Sequence, residues 1–343
     1  MKKAFRLFCA GGIFLAVVVL PGIASNLMGK ERVGNISWLY QLQGLNIPSV
    51  ARSGFPLVVM DYSINGLGVK PFSRKAIQQL IDTHIVPLVY LSIGEAENYR
   101  FYWNKNWVDP KNPNQLTSEA PGWLGHTNPD WEGNYKVRYW DPDWRDHYLK
   151  PYLDTILEQG FMGVYLDIVD AFEYWADPGI YREKTEIRSE KDPAGKEGEA
   201  ARRMIALVKW IARYCRTHSS YGKDFLVFPQ NGERILLYDR DSSYLDTVSG
   251  IGVESTWYGK TVRLSSNVVN ERLRLLNKFT RKGKQVLSVD YVDSGNHKSK
   301  SNLRRIRKYI SKCQTRGFRC YAARVDAELK DINAIRGIQP LDP

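Results

Sequence analysis

Cysteine and histidine are both scarce in this chain. Four Cys and five His stand among 343 residues. None of the cysteines shows metal-ligand spacing, so a zinc site is not expected. Acidic residues are outnumbered: 37 Asp and Glu face 49 Lys and Arg, for a net charge of +12. No fixed-period repeat is visible, so nothing points to a repeat array. The first β-rich run, with the turn after it at 37–44, carries no Gly-rich phosphate loop. A doubly wound nucleotide-binding sheet would usually show one there. Neither metals nor disulfides are required for folding, because the chain is long enough to bury a sizeable core.

The N-terminus has the pattern of a secretory signal. Lys2, Lys3 and Arg6 precede an apolar run at 7–20, and Gly22-Ile23-Ala24 places small residues where a signal peptidase reads. Cleavage after Ala24 is expected, with the mature protein secreted or periplasmic. An uncleaved signal would be the one route to a membrane, since the run approaches the ~18 residues a span needs. Removal of the signal leaves Cys215, Cys313 and Cys320. An oxidising compartment would let Cys313 pair with Cys320; three buried thiols is the other reading. The basic balance survives cleavage. It fits an acidic polymer, nucleic acid or an anionic surface. Yet the cluster Arg304-Arg305-Ile306-Arg307-Lys308 reads as the solvated face of a helix, without the interleaved aromatics of a nucleic-acid patch. No nucleic-acid partner is expected.

What does recur is a short apolar, β-rich run followed by a helical stretch. Eight such runs lie at 37–43, 57–63, 86–93, 163–169, 225–230, 247–253, 285–292 and 319–325. Most are continuous rather than alternating, as strands covered on both faces are. Helical patterns fall at 73–83, 144–159, 198–218, 268–281 and 302–315, and Gly160, Gly283 and Gly317 stand at three of their ends. Eight strands alternating with helices predict an α/β fold, a single (β/α)8 TIM barrel over residues 25–343 with signal peptide 1–24 before it. Two connections, after strands three and four, are long. The first, from 95 to about 143, holds with its boundary six of the ten Trp; long structured loops are usually functional. The second, 177–197, is charged and reads as a mobile, solvated insertion.

Chemistry in such a barrel sits at the C-terminal ends of the strands. Those ends carry Asp61, Glu95 and Glu97, Asp167 and Asp170, Asn231 and Glu233, Glu254, Asp290 and Asp293, and Asp326. An isolated Asp at a strand end more often caps a helix or pairs with Arg. A ring of acids is different, because crowding pushes carboxyl pKa values apart, so that one stays protonated beside an ionised neighbour. Glycoside hydrolysis needs that pair. Side-chain alternation places Tyr165 and Asp167 on one face of strand four, and Gly250, Gly252 and Glu254 on one face of strand six. Aromatics suited to stacking on sugar rings lie near the same ends: Trp38, Tyr40, Tyr90, Trp140, Tyr165, Trp257, Tyr258 and Tyr291.

Several segments resemble a known family. They are Tyr90-Leu91-Ser92-Ile93-Gly94-Glu95-Ala96-Glu97, Tyr139-Trp140-Asp141-Pro142, Tyr165-Leu166-Asp167 with Val169-Asp170-Ala171, Gln230-Asn231-Gly232-Glu233, Gly250-Ile251-Gly252-Val253-Glu254 and Val289-Asp290-Tyr291-Val292. Together they resemble the signature of glycoside hydrolase family 114, the endo-α-1,4-polygalactosaminidase-like barrels. The resemblance implies endo-cleavage of a galactosamine-containing polysaccharide, with catalytic acids at the positions of Asp167 and Glu254. We read Asp167 as nucleophile and Glu254 as general acid and then base, with retention of configuration. Tyr40, Asp61, Tyr90, Glu95, Trp140, Tyr165, Asp170, Asn231, Tyr258, Asp290 and Tyr291 are the candidate substrate contacts. No metal or organic cofactor is implied, and oligomeric state is not legible. The rival reading is a glycan-binding or scaffold protein on the same barrel, since fold does not fix function. A third is an anionic-polymer binder using the basic surface, whose affinity would fall steeply with salt.

Overall fold

The computed structural model describes residues 37–67, 70–183 and 185–340; the expected signal segment lies outside them. Eight parallel strands carry the fold: β1 (Leu39–Gln41), β2 (Leu57–Met60), β3 (Val86–Ser92), β4 (Gly163–Asp167), β5 (Leu226–Pro229), β6 (Gly250–Glu254), β7 (Gln285–Asp293) and β8 (Arg319–Arg324). The first five form one sheet and the last three another, each in chain order. Two parallel bridges join the sheets, Gln230 with Gly252 and Ser37 with Cys320. The strands therefore follow one another round a ring, the order a (β/α)8 barrel requires. The whole of β3, from Val86 to Ser92, is buried, which is why its apolar run does not alternate.

Helices cover the outside: α1 (Ile47–Ala51), α2 (Arg74–Asp82), α3 (Lys150–Gln159), α4 (Glu197–His218), α5 (Ser266–Arg281) and α6 (Lys300–Thr315). Asn46, Ser73, Ser265 and Ser299 cap four of them, each accepting from a backbone N–H three residues on. Gly160 ends α3 with φ 84°, a conformation that favours glycine. In α4 the buried residues Ala201, Met204, Val208, Ile211 and Cys215 recur at three- and four-residue spacing, one stripe against the strands. The sixth strand begins at Gly250, three residues later than its sequence suggests, because Ser243–Thr247 is a short helix.

The connection after β3 folds on itself. Glu95–Glu97, Asn134–Val137 and Leu124–Thr127 make an antiparallel sheet. Trp103, Trp107, Trp123 and Trp144 pack in sequence against each other beside it. Segment 177–197 is solvated only in part: residues such as Glu183, Ile187 and Glu190 are exposed, but two of its charges turn inward. Glu186 and Asp192 are buried. Asp192 pairs with Arg138 at 2.9 Å, and Glu186 accepts from the His126 backbone N–H at 2.7 Å and from the Tyr174 hydroxyl at 2.9 Å. Two of its acids are thus tied to the first connection, through Arg138 and the His126 backbone N–H.

Cys313 and Cys320 form a disulfide between α6 and β8, and Cys215 is a buried thiol. The closed loop is short. Cys313→Ala/Cys320→Ala is therefore expected to lower stability by only about 2 kcal/mol. Urea denaturation checks this, and added reductant should move the wild type to the same midpoint while leaving the variant unchanged.

Candidate active site

Asp167 and Glu254 are the final residues of β4 and β6. Asp167 is held at both oxygens: the Tyr90 hydroxyl donates to Oδ2 at 2.7 Å and the Ile168 backbone N–H to Oδ1 at 2.8 Å. Glu254 is held likewise. The Tyr291 hydroxyl donates to Oε1, and Asn231 Nδ2 donates to Oε2 at 3.1 Å. Asn231 also accepts the Glu254 backbone N–H at 3.0 Å, which fixes the two strand ends to each other. The Arg272 guanidinium reaches in from α5 to donate to the Glu254 carbonyl at 2.7 Å, while its Nε pairs with Glu233 at 2.6 Å.

The backbone turns sharply around these groups. Ile168, Asn231 and Ser255 have φ of 59°, 55° and 50°. Left-handed backbone is unfavourable for a β-branched residue such as Ile, and strain of this kind collects at functional sites. The turn at Ile168 fits because residue 94 is glycine: a Cβ there would stand 2.3 Å from the Ile168 carbonyl oxygen.

Burial raises the Asp167 carboxyl well above the ordinary range, and the charge of Glu254 raises it further; the bonds from Tyr90 and the Ile168 N–H oppose both. Burial also raises the phenols of Tyr40, Tyr90, Tyr165 and Tyr291, with Asp167 adding to the effect in all four and Glu254 in all but Tyr90. All four stay protonated and available as donors at neutral pH. Tyr40 donates to Gln230 at 2.9 Å. The Tyr165 hydroxyl is buried with no hydrogen-bond partner among the described residues. It occupies the space that Gly252 leaves: a Cβ at 252 would stand 1.9 Å from it.

The structure thus gathers Tyr40, Tyr90, Tyr165, Asp167, Asn231, Glu254 and Tyr291 into one site. Other candidate contacts are engaged elsewhere. Asp61 is buried against Arg100 at 2.7 Å, which also pairs with Glu97 at 2.6 Å. Glu95 is fully buried, accepting from Asn128 at 2.9 Å, Asn134 at 3.0 Å and the Lys136 ammonium. Asp170 lies near the same Lys136; burial and then Glu173 push its carboxyl up to about 6. Asp290 is buried and accepts three backbone N–H groups, from Thr256 at 2.8 Å, Trp257 at 2.9 Å and Tyr258 at 2.8 Å, so it braces the turn after β6. Trp140 packs on the edge of Trp175 with Arg203 over its ring. Trp38, Tyr40 and Tyr165 pack together in the interior, and Trp257 and Tyr258 are also buried. These five rings fill space where the sequence suggested sugar platforms.

Arg272, Lys136 and Arg100 were invisible as site residues in the sequence. Each is a basic residue in a basic chain, and only the fold shows the carboxylates it meets. Among the described residues no group of three or more His, Cys, Asp and Glu is placed to hold a metal ion. None of the described helices is long and apolar enough to cross a membrane.

Comparison with known proteins bears on the family and the fold. An uncharacterized protein of Methanocaldococcus jannaschii is 41% identical over 318 residues, covering 90% of this chain and 84% of that one. One from Thermotoga maritima is 42% identical over 304 residues, covering 89% and 85%. The solved glycoside hydrolase domain of PelA from Pseudomonas aeruginosa superposes with a TM-score of 0.60 at 15% identity, covering 87% of this chain and 97% of that one. Aspergillus fumigatus Ega3, solved in complex with galactosamine, gives 0.56 at 16% identity, covering 87% and 94%. At such identities the two structures speak to the fold. The profile of glycoside-hydrolase family GH114 matches residues 24–337, and the chain belongs to that family.

Proposed function

We propose that this glycoside hydrolase is exported and cuts an α-1,4-linked galactosamine or N-acetylgalactosamine polysaccharide internally, with retention of configuration. The observation that carries the reading is the pair Asp167 and Glu254, each on the last residue of its strand and each held by a tyrosine hydroxyl. Asp167 is the nucleophile. Its short side chain is fixed by two donors, one of them a backbone N–H that cannot turn away. Glu254 protonates the leaving oxygen and then activates water. It is one methylene longer, and its partners Tyr291 and Asn231 are side chains that can follow it. Tyr90, Tyr291 and Asn231, the side chains that hold the two carboxylates, contact the sugar. The galactosamine bound to Ega3, a protein of the same fold, supports the substrate class.

The test is digestion of a partially deacetylated α-1,4-galactosaminoglycan, followed by proton NMR from the first minutes. Oligosaccharides whose new reducing ends appear first as the α-anomer are expected. First appearance of the β-anomer would replace retention by inversion, which also requires a wider carboxyl separation, ~6.5–9.5 Å against ~5–5.5 Å. Absence of products from folded protein would remove the substrate assignment. One observation favours exchanged roles: the raised pKa of Asp167 suits a proton donor.

A further inference from the structure

A groove beside α6 differs in composition from the carboxylate site. It has a volume of about 720 Å³ and lies between α6 and the antiparallel hairpin of Tyr258–Gly259 with Val262–Arg263. Its lining includes six cations, Arg263, Lys300, Arg304, Arg307, Lys308 and Lys312, and no acidic residue. Among the described residues none of the six is in an ion pair. Lys300, Arg304, Lys308 and Lys312 recur every four residues along α6, so they form one row about 18 Å long. A smaller adjoining cavity of about 180 Å³ shares Arg263 and Lys312 and adds Arg316, which carries the row beyond the end of the helix. The sequence reading of Arg304 to Lys308 as a solvated helix face therefore misses half of the feature, because the hairpin supplies a second wall.

Like charges held along one face repel one another. Lys312 registers this: burial, then Arg263, Arg316 and Lys308, push its pKa below the ordinary lysine value. An anion laid along the row would relieve that repulsion. The shape selects among anions. A bilayer presents a plane, whereas a groove admits a strand. A single-stranded nucleic acid gains much of its affinity from bases stacked on exposed rings, and the aromatic in this lining, Tyr258, is buried. An acidic sugar chain needs cations for its carboxylates and an apolar contact for a ring face, which the half-buried Leu303 offers among the cations.

We propose that this groove docks a linear acidic polysaccharide, a polymer with carboxylates on its repeating sugars, distinct from the glycan cut between Asp167 and Glu254. Docking there would hold the enzyme in a mixed polysaccharide matrix while the carboxylate site works on a separate chain.

The test is fluorescence anisotropy of fluorescein-labelled polygalacturonate, about twenty sugars long, titrated with the intact protein. Binding is expected to weaken tenfold or more as NaCl rises from about 50 to about 200 mM. Arg304→Gln/Lys308→Gln should weaken it about fivefold or more at the lower salt, as loss of two charge contacts requires. Lys111→Gln/Lys223→Gln, two exposed cations outside the groove, should leave it unchanged. Equal losses from the two pairs would reduce the effect to general charge and overturn the proposal, as would no binding at all. Tighter binding of an oligothymidylate of equal charge, lost in the groove variant, would assign the groove to nucleic acid instead. Cosedimentation with phosphatidylserine vesicles showing the same dependence, without polygalacturonate binding, would assign it to a membrane.

Discussion

Asp167→Asn should lower kcat on the polymer about 10³-fold or more while leaving the protein at least as stable as the wild type at neutral pH. On the proposed roles the substitution removes a nucleophile or general acid, either of which supplies that order of rate. The stability follows from linkage. In the folded chain the Asp167 carboxyl is raised above its unfolded value by burial and by Glu254. Such a group contributes its full stability below the unfolded pKa and loses it as pH rises through the folded one. Asn resembles the protonated form at every pH, so the thermal midpoint of the variant should fall less than that of the wild type between pH 4 and pH 8. Glu254→Gln should lower kcat to a similar extent on the polymer. It should retain far more activity on an aryl galactosaminide whose phenol leaves without protonation, while Asp167→Asn should be equally poor on both. The reverse pattern would exchange the two roles. Two folded variants with wild-type rates would return the chain to the binding-protein reading.

Gly252→Ala should be as damaging to the fold as the first substitution is to the chemistry. The added carbon would stand 1.9 Å from the Tyr165 hydroxyl and 2.3 Å from its ring carbon Cζ, well inside any tolerable contact. Tyr165 cannot withdraw easily, because Trp38 and Tyr40 pack against its ring at centroid distances of 6.0 and 5.5 Å. Overpacking of this kind costs about 3 kcal/mol. Because Glu254 follows two residues later on the same face, kcat should fall as well. Tyr165→Leu removes the clashing atoms, so the double variant should be less destabilised than the two single effects summed, by about 1 kcal/mol or more. Simple additivity in urea denaturation would mean that the barrel interior adjusts without that contact.

The strands were legible because most are apolar runs covered on both faces, and the placement of Asp167 and Glu254 at nearby strand ends was legible because alternation put both on inner faces. What the sequence could not show is which acids are already spent. Asp61, Glu95 and Asp290 sit at strand ends just as Asp167 does. Their partners, Arg100, Lys136 and three backbone N–H groups, come from other elements and carry no local signal. The same blindness applies to 177–197, where Asp192 looks solvated until Arg138, 54 residues away, is brought against it. Aromatics misled in the opposite direction. Trp38, Tyr40 and Tyr165 lie on strands near the rim, but three large rings fill a barrel interior by themselves and leave none free to face a sugar.

The left-handed turns at Ile168 and Ser255 bear on how such a chain would drift. Glycine relieves that conformation at no steric cost, so a substitution to glycine at either position gives a more relaxed backbone and a less firmly aimed carboxylate. Selection for the reaction would remove such changes; selection for folding alone would keep them. A descendant that kept the barrel but no longer cut glycans is therefore expected to accumulate glycine just after its fourth and sixth strands before it loses the carboxylates themselves.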